Sequence, residues 1–324
     1  MKNAIYKHTR NIQADFYAWW NFQKAKKQGK NLDDIYKPFF ITAIPGSLHI
    51  IDLCLRFIPA SQSVVLVSNG ISDWEYQWAL DHLAVDSNIR FKRMLRHADV
   101  IDFLFNNLDK PFGIIDYDCF VMKPLIFEKI SAVKPGYLAN AFFNYENPVI
   151  GLEIPETFLL FFNTPLMKVV QEKYHINSQR KKLKQLSRPI KKELLKIGIN
   201  EENYPELHKN FFDTLRLWFC LGIADGYAIN YIDKLTNFFE PSGVINHVGG
   251  SSYNNKSNNI WDMRGTYFWR RALESCGQKD IQEYYWKKFG ELKSHNVLEM
   301  NPQLASQFSE EFLDFTNKIV TYYD

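Results

Sequence analysis

Two aspartates stand one residue apart in the stretch Phe112-Gly113-Ile114-Ile115-Asp116-Tyr117-Asp118-Cys119-Phe120. The apolar residues before Asp116 predict a buried strand, and side chains at positions i and i+2 of a strand lie on the same face. Two carboxylates at the end of a buried strand are costly unless a charge compensates them. A divalent cation that carries a diphosphate is one such compensator. The stretch therefore predicts a metal and nucleotide site at a strand end.

Short strands alternate with helices on the N-terminal side of this stretch. Strands are predicted at residues 39–44, 64–67 and 89–94, with helices from Ser47 to about residue 57, from Asp73 to residue 82 and over residues 98–107. This alternation is typical of an α/β protein with a mostly parallel sheet flanked by helices. Ligands of such sheets bind at the carboxyl ends of the strands, which here are residues 42–46, 68–70 and 116–118. We expect these three ends to form one crevice.

The length of 324 residues fits one large domain with additions. We predict an N-terminal helical segment over residues 1–36, a catalytic domain over 37–255 and a C-terminal helical extension over 256–324 that packs on the same domain. Further strands are predicted at residues 137–143, 158–162, 227–231 and 244–248, and further helices at 164–174, 213–224, 260–276, 280–292 and 304–322. The Asn- and Ser-rich residues 251–259 predict a mobile lid.

Positive charge is concentrated in one part of the chain. The net charge is only +3, which argues against a nucleic-acid-binding protein. Residues 180–196, however, contain eight lysines and arginines against one acid, Glu193. We treat this basic excursion as spanning residues 177–200. It is a solvated helix face, a contact for an anionic membrane surface or a recognition element for an acidic acceptor.

The four cysteines are far apart and lack C-x-x-C spacing, which argues against a disulfide framework or a zinc site. A reducing compartment is the better interpretation. The first residues lack an apolar signal core, and no stretch is long and apolar enough to span a bilayer. We expect a cytoplasmic protein that is peripheral at the inner face of a membrane.

An apolar strand ending in Asp116-Tyr117-Asp118 after two β–α units resembles the D-x-D motif of GT-A fold glycosyltransferases. Residues 247–250, His-Val-Gly-Gly, resemble the H-x-x-G element of the family-8-like retaining enzymes of that fold. The resemblance implies a GT-A, Rossmann-like fold and a metal site for Mn²⁺ or Mg²⁺ formed by Asp116, Asp118 and His247. A carboxylate pair with one imidazole leaves positions for two phosphate oxygens.

The resemblance also implies a donor site. Its members are Thr42, Ala43 and Asn69 at the base and ribose, and Asp116, Tyr117, Gly249, Gly250 and Lys256 toward the diphosphate. The two glycines would let backbone N–H groups approach the phosphates. In the family a lysine follows the glycine closely, whereas this chain has Tyr253 there, so that Lys256 would substitute for it.

Asp213 has two interpretations. GT-A enzymes often carry an acid on a helix after the second half of the sheet, facing the acceptor, and Asp213 would supply this catalytic acid. Its position at the start of a predicted helix equally fits an N-cap.

The implied function is the metal-dependent transfer of a sugar, with retention, from a nucleoside-diphosphate-sugar donor to a hydroxyl acceptor. Family frequency suggests a UDP-sugar, and the acceptor would be a glycan, a lipid-linked glycan or a protein. One alternative is a haloacid-dehalogenase-like phosphatase with Asp116 as nucleophile, although Phe120 stands where that family has Thr or Val. Another is a catalytically inert GT-A-like binding protein.

Overall fold

The computed structural model describes residues 32–142, 144–146, 151–202, 212–233, 243–251, 259–289 and 302–323. The predicted N-terminal helix, Lys256, Tyr253 and most of the predicted lid lie outside these residues. A short 3₁₀ helix, Leu32–Asp34, precedes the first strand.

A seven-stranded sheet forms the centre of the described structure. The strands of the described residues are β1 (Phe39–Ala43), β2 (Val64–Asn69), β3 (Ser87–Phe91), β4 (Phe112–Ile115), β5 (Cys119–Val121), β6 (Tyr137–Ala141), β7 (Asn144–Glu146), β8 (Glu153–Pro155), β9 (Leu159–Phe162), β10 (Ala228–Tyr231) and β11 (Ile245–His247). The order in the central sheet is β10-β6-β9-β4-β1-β2-β3, and only β9 runs antiparallel to its neighbours. Two further pairs, β5 with β11 and β7 with β8, are antiparallel. The predicted mixed α/β fold with a mostly parallel sheet is confirmed.

Helices cover the sheet on both faces. They are α1 (Leu48–Leu55), α2 (Asp73–His82), α3 (His97–Asn107), α4 (Leu125–Ile130), α5 (Thr164–Tyr174), α6 (Arg188–Leu195), α7 (Arg216–Ala224), α8 (Ile260–Ser275), α9 (Lys279–Lys288), α10 (Pro302–Ala305) and α11 (Glu310–Val320). The predicted cap of α2 is wrong, because Ser72 is the N-cap and forms a capping box with Glu75. Asp73 is the first helical residue instead.

The alternation of side chains along β1 divides the core into two clusters. Phe39, Ile41 and Ala43 belong to the first cluster, together with side chains of α1, α8, α9 and α11. Phe40 belongs to the second cluster, with side chains of α3, α5 and α7. Strand side chains alternate between the two faces of a sheet, so each face needs its own layer of helices. The C-terminal helices therefore share one core with β1.

The turn after β1 is fixed by a buried carboxylate. Glu75 is fully buried, and its Oε1 accepts from the backbone N–H of Gly46 (2.8 Å). Its Oε2 accepts from the N–H of Ser72 (2.9 Å) and from Lys288 Nζ (2.8 Å). Burial opposes ionisation of Glu75, but Lys288 and the backbone donors outweigh it and lower the pKa of Glu75 below its ordinary value of 4.5. This carboxylate joins the β1 turn, α2 and α9.

Replacing this carboxylate tests its contribution to stability. We expect Glu75→Gln to lower the free energy of unfolding by about 2 kcal/mol at pH 7, because a buried charged hydrogen bond is lost. Since the folded pKa lies below 4.5, the stabilisation is present above about pH 4.5 and is lost as the pH falls through the folded pKa. Denaturant unfolding of both proteins from pH 7 to pH 3 should therefore show a difference that shrinks with falling pH. Glu172→Gln on the exposed surface of α5 is the control. A difference that stays constant across this range would contradict the assignment.

Candidate metal and nucleotide site

The two aspartates lie in a turn between β4 and β5. β4 ends at Ile115, and the N–H of Cys119 donates to the carbonyl of Asp116 (3.0 Å) to close the turn. The N–H of Asp116 donates to the carbonyl of Phe158 (2.8 Å). The expectation that both carboxylates share one face of a strand is therefore wrong, because the extended segment stops before them. The turn brings them together instead.

Strand pairing supplies the third member of the cluster. β11 runs antiparallel to β5 with His247 opposite Cys119, one residue beyond Asp118. His247 Nε2 lies 3.4 Å from Asp116 Oδ2 and 3.3 Å from Asp118 Oδ1. Each of the three residues offers one possible metal-ligand atom, and these three atoms lie within 4.8 Å of one another. Two carboxylates and an imidazole at this spacing fit a divalent cation.

Burial and the neighbouring charges have opposite effects on the ionisation of Asp118 and His247. The side chain of Asp118 is almost fully buried, and its Oδ2 accepts from the N–H of Ser251 (3.1 Å). Burial opposes its ionisation, but the charge and hydrogen bond of His247 outweigh burial and lower the pKa of Asp118. Burial likewise disfavours a charged His247, yet the two aspartates raise its pKa to about 9. A protonated imidazole thus compensates one of the two carboxylate charges, and a divalent cation would compensate both.

Aromatic rings hold the imidazole in place. The Phe158 ring stacks on His247 with ring centroids 4.7 Å apart and planes inclined by 15°. The Trp261 ring meets His247 edge-on at 6.0 Å. These contacts restrict the orientation of the imidazole, so that Nε2 stays directed at the two carboxylates.

The two glycines after His247 serve close packing. Gly249 and Gly250 have φ values of 70° and 63°. A Cβ on Gly249 would lie 1.8 Å from the Trp261 ring, and a Cβ on Gly265 of α8 would lie 2.2 Å from the Gly250 carbonyl oxygen. The loop therefore needs glycine both for its backbone conformation and for its contact with α8.

A pocket of about 310 Å³ opens beside the cluster, at the carboxyl ends of β1 and β2. Its lining residues are Thr42, Ile44, Asn69, Met94, Leu95, His97, Asp116, Tyr117, Asp118, Thr157, His247, Gly250 and Trp261. The three predicted strand ends thus form one crevice. Ala43 and Gly249, both predicted to bind the donor, do not line it: Ala43 is buried in the first core cluster, and Gly249 packs on Trp261.

Two of the predicted donor residues are bound to backbone. The side chain of Asn69 accepts from the N–H of Leu95 (2.7 Å) and donates to the Leu95 carbonyl (3.0 Å). Asn69 thereby fixes the loop between β3 and α3. The hydroxyl of Tyr117 donates to the carbonyl of Ser251 and so ties the turn to the glycine loop.

Six residues that line the pocket were not predicted as site residues: Ile44, Met94, Leu95, His97, Thr157 and Trp261. His97 and Met94 follow β3, whose carboxyl end lies at the same edge of the sheet. Their position after this strand end could have indicated that they line the pocket. Trp261 is the second residue of α8 and contacts the pocket only through tertiary packing, which no local pattern reports.

Asp213 lies in a second pocket rather than beside the cluster. The N-cap interpretation is wrong, because α7 begins at Arg216 with Leu215 as its N-cap, at a φ of 65°. Asp213 instead pairs with Arg180, with Nε 2.6 Å from Oδ1. The second pocket, of about 470 Å³, is lined by Arg96, His97, Ala98, Glu156, Thr157, Gln179, Arg180, Asp213, Thr214 and Arg216. It shares His97 and Thr157 with the first pocket.

The glycine packing yields a stability prediction with an internal control. Gly249 and Gly277 both have positive φ, but a Cβ would meet Trp261 at Gly249 and open space at Gly277. Both Gly249→Ala and Gly277→Ala should lower the free energy of unfolding by about 1 kcal/mol, because alanine is strained in the left-handed backbone conformation. Gly249→Ala should lower it by about 2 kcal/mol more, because Trp261 must move. Urea unfolding of the two variants measures this difference, and equal losses would contradict the packing role.

Part of this chain is similar in sequence to known glycosyltransferases. Residues 19–167, less than half of the chain, match the StrH glycosyltransferase N-terminal domain family. A dTDP-dihydrostreptose--streptidine-6-phosphate dihydrostreptosyltransferase of Streptomyces griseus is 29% identical over 110 residues. That alignment spans 33% of this chain and 28% of the relative's length.

Solved structures with partial likeness include two enzymes. One is the glycosyltransferase GlyE of Streptococcus pneumoniae, at 12% identity and a TM-score of 0.36, covering 76% of this chain and 64% of that chain. The other is a mannosyltransferase of Pyrobaculum calidifontis in complex with GDP-Man and Mn²⁺, at 12% identity and a TM-score of 0.37, covering 97% and 94%. The sequence matches to the StrH domain and to the Streptomyces griseus protein support a glycosyltransferase, and the matched family region contains both aspartates of the cluster.

Proposed function

We propose that this protein is a metal-dependent glycosyltransferase of GT-A type that moves a sugar from a nucleoside-diphosphate-sugar to an acceptor hydroxyl. The observation that carries the proposal is the convergence of Asp116, Asp118 and His247 at one pocket. The sequence match of residues 19–167 to a glycosyltransferase domain supports the same conclusion.

The three side chains would hold the cation, and each has a reason to stay in place. The turn and its hydrogen bond to Phe158 fix Asp116, the Ser251 N–H fixes Asp118, and ring stacking fixes His247. Oxygen donors suit Mg²⁺ and Mn²⁺, and the imidazole nitrogen favours Mn²⁺ of the two. A bound cation supplies charge neutralisation for the diphosphate leaving group.

The rest of the pocket fits a nucleoside. Thr42, Met94 and Leu95 line it on the side of the sheet edge and would accept the base and ribose. Gly250 and Trp261 close the side next to the cluster. The name of the Streptomyces griseus relative includes a dTDP-linked sugar, which supports a nucleoside-diphosphate-sugar as donor. A UDP-sugar and retention of configuration remain our proposals from the family resemblance.

We also propose a cellular compartment for this protein. All four cysteines are buried and none forms a disulfide, which supports a reducing, cytoplasmic setting. Within the described residues, no helix is both long and apolar enough to cross a bilayer. The basic residues 180–196 would provide any peripheral contact with a membrane surface.

Substitution of the buried aspartate tests the proposed function. We expect wild-type protein to gain thermal stability from Mn²⁺ together with a matching nucleoside diphosphate, by about 2.7 kcal/mol at one hundred times the dissociation constant. Asp118→Asn should lose this stabilisation and the hydrolysis of the donor, because one cation ligand loses its charge. A thermal-shift screen with UDP-, GDP-, CMP- and dTDP-sugars, with and without Mn²⁺, measures the first effect.

The exposed Asp314→Asn is the matched control and should behave like wild type. If the wild-type protein shows neither Mn²⁺-dependent stabilisation nor donor hydrolysis, the proposal that it is an enzyme is wrong. Hydrolysis of a generic phosphate ester that depends on Asp116 would favour a phosphatase instead.

A further inference from the structure

The basic residues 180–196 contain both paired and unpaired cations. Three of the side chains pair with carboxylates, namely Arg180 with Asp213, Lys191 with Glu201 and Lys196 with Glu193. Four others are exposed, and among the described residues no carboxylate pairs with them: Lys182, Lys184, Arg188 and Lys192. We call these four the unpaired cations. Their charge is offered to the solvent or to a partner, because no acid of the described chain neutralises it.

Two of the unpaired cations share one face of α6 with a leucine. Arg188, Lys192 and Leu195 stand at positions i, i+4 and i+7, which lie on the same side of a helix. All three are exposed, and Leu195 is 57% exposed. The neighbouring Leu194 turns the other way and is buried in the second core cluster. A helix face that combines basic side chains with an exposed leucine is typical of a surface that lies on an anionic bilayer.

The unpaired cations repel one another. Arg188 and Lys192 are four residues apart on α6, a spacing at which like charges destabilise a helix. Lys182 and Lys184 add two more positive charges a few residues earlier in the chain. An anionic surface would relieve this repulsion, and each lysine or arginine near such a surface strengthens binding about fivefold.

The composition of the segment favours a bilayer over a nucleic acid. Residues 180–196 contain no aromatic residue, although stacking of bases on aromatic rings is a main source of affinity for single-stranded nucleic acids. The net charge of the whole chain is also only +3. A phosphate backbone offers no apolar surface to Leu195, whereas the region between the headgroups and the acyl chains of a bilayer does.

We propose that residues 182–195 bind the surface of a bilayer that contains anionic lipids. The unpaired cations contact the headgroups, and Leu195 enters the region between the headgroups and the acyl chains. Of the three interpretations of the basic residues 180–196, this inference selects the contact with an anionic membrane surface. It rests on the cytoplasmic location proposed above, but it does not depend on sugar transfer.

This contact would hold the second pocket near the membrane. Gln179 and Arg180 line that pocket, and Lys182 follows Arg180 by two residues. Two residues of extended chain span at most about 7 Å. A membrane that contacts Lys182 therefore lies close to the wall of the second pocket.

Sedimentation of the full chain with lipid vesicles tests this inference. We expect binding to phosphatidylcholine vesicles that contain about 30% phosphatidylserine, and at least about tenfold weaker binding to phosphatidylcholine alone. Binding should weaken as the salt concentration rises from about 0.05 M to about 0.5 M, because salt screens the charges. The double variant Arg188→Gln/Lys192→Gln should bind about twentyfold more weakly than wild type. Leu195→Ala should bind at least about threefold more weakly without a change in salt dependence, because it removes apolar contact and no charge.

The double variant Lys279→Gln/Lys287→Gln is the matched control. It removes the same charge from exposed positions of α9, which packs in the first core cluster and hence on the other face of the sheet from α6. It should bind the vesicles like wild type. All variants should unfold at the wild-type temperature, because every changed side chain is exposed.

Three results would overturn the inference. The first is an absence of binding to the phosphatidylserine vesicles, and the second is an equal loss of binding in the two double variants. The third is full binding by Leu195→Ala together with equally tight binding of wild type to polyglutamate, which would indicate an acidic protein as the partner.

The outcome is separable from that of the proposed function. Vesicle binding by a protein that Mn²⁺ and nucleotides do not stabilise would remove the glycosyltransferase proposal and leave the membrane contact. Mn²⁺-dependent nucleotide stabilisation in a protein that does not bind the vesicles would remove only the membrane contact.

Discussion

The antiparallel register between β5 and β11 is the constraint on which the site depends. It places His247 opposite Cys119, so that one imidazole reaches two carboxylates that lie in the turn before β5. Without this positive charge or a cation, the ionised form of Asp118 would be opposed by burial and by the nearby Asp116, with only the Ser251 N–H to stabilise it among the contacts described. The pairing joins segments separated by more than a hundred residues, and a shift of one residue would turn His247 to the other face.

The C-terminal helices stabilise this arrangement and line part of it. Trp261 of α8 packs on Gly249 and meets the His247 ring, while Trp269 of the same helix donates from Nε1 to the carbonyl of Gly46 (2.6 Å). Gly46 also donates to Glu75, which Lys288 of α9 neutralises. The turn after β1 therefore depends on α8 and α9, and the glycine loop after β11 depends on α8. Loss of either contact would affect the pocket as well as the stability of the fold.

Local patterns predicted the sheet well, because apolar runs and turn residues determine which segments can be buried strands. The strands at β1, β2 and β4 and the helix over Thr164–Tyr174 followed from such patterns. The approach of His247 to the aspartates followed from a family resemblance. The turn at Asp116, the pairing of Asp213 with Arg180 and the contact of Trp261 with Gly249 depend on residues distant in sequence. Periodicity carries no information on such partners. Asp213 was therefore predicted as an N-cap, whereas in the structure it forms an ion pair.

The two pockets differ in how their charges are arranged. The first brings together two carboxylates and one imidazole, and a protonated imidazole compensates only one of the two negative charges. In the second, Arg180 pairs with Asp213 and Arg216 pairs with Glu156, so each of these guanidinium groups has its own carboxylate. Negative charge that lacks a full complement of positive charge attracts a cation more strongly than paired charges do. Of the two pockets, the first is therefore the one whose side chains favour a divalent cation.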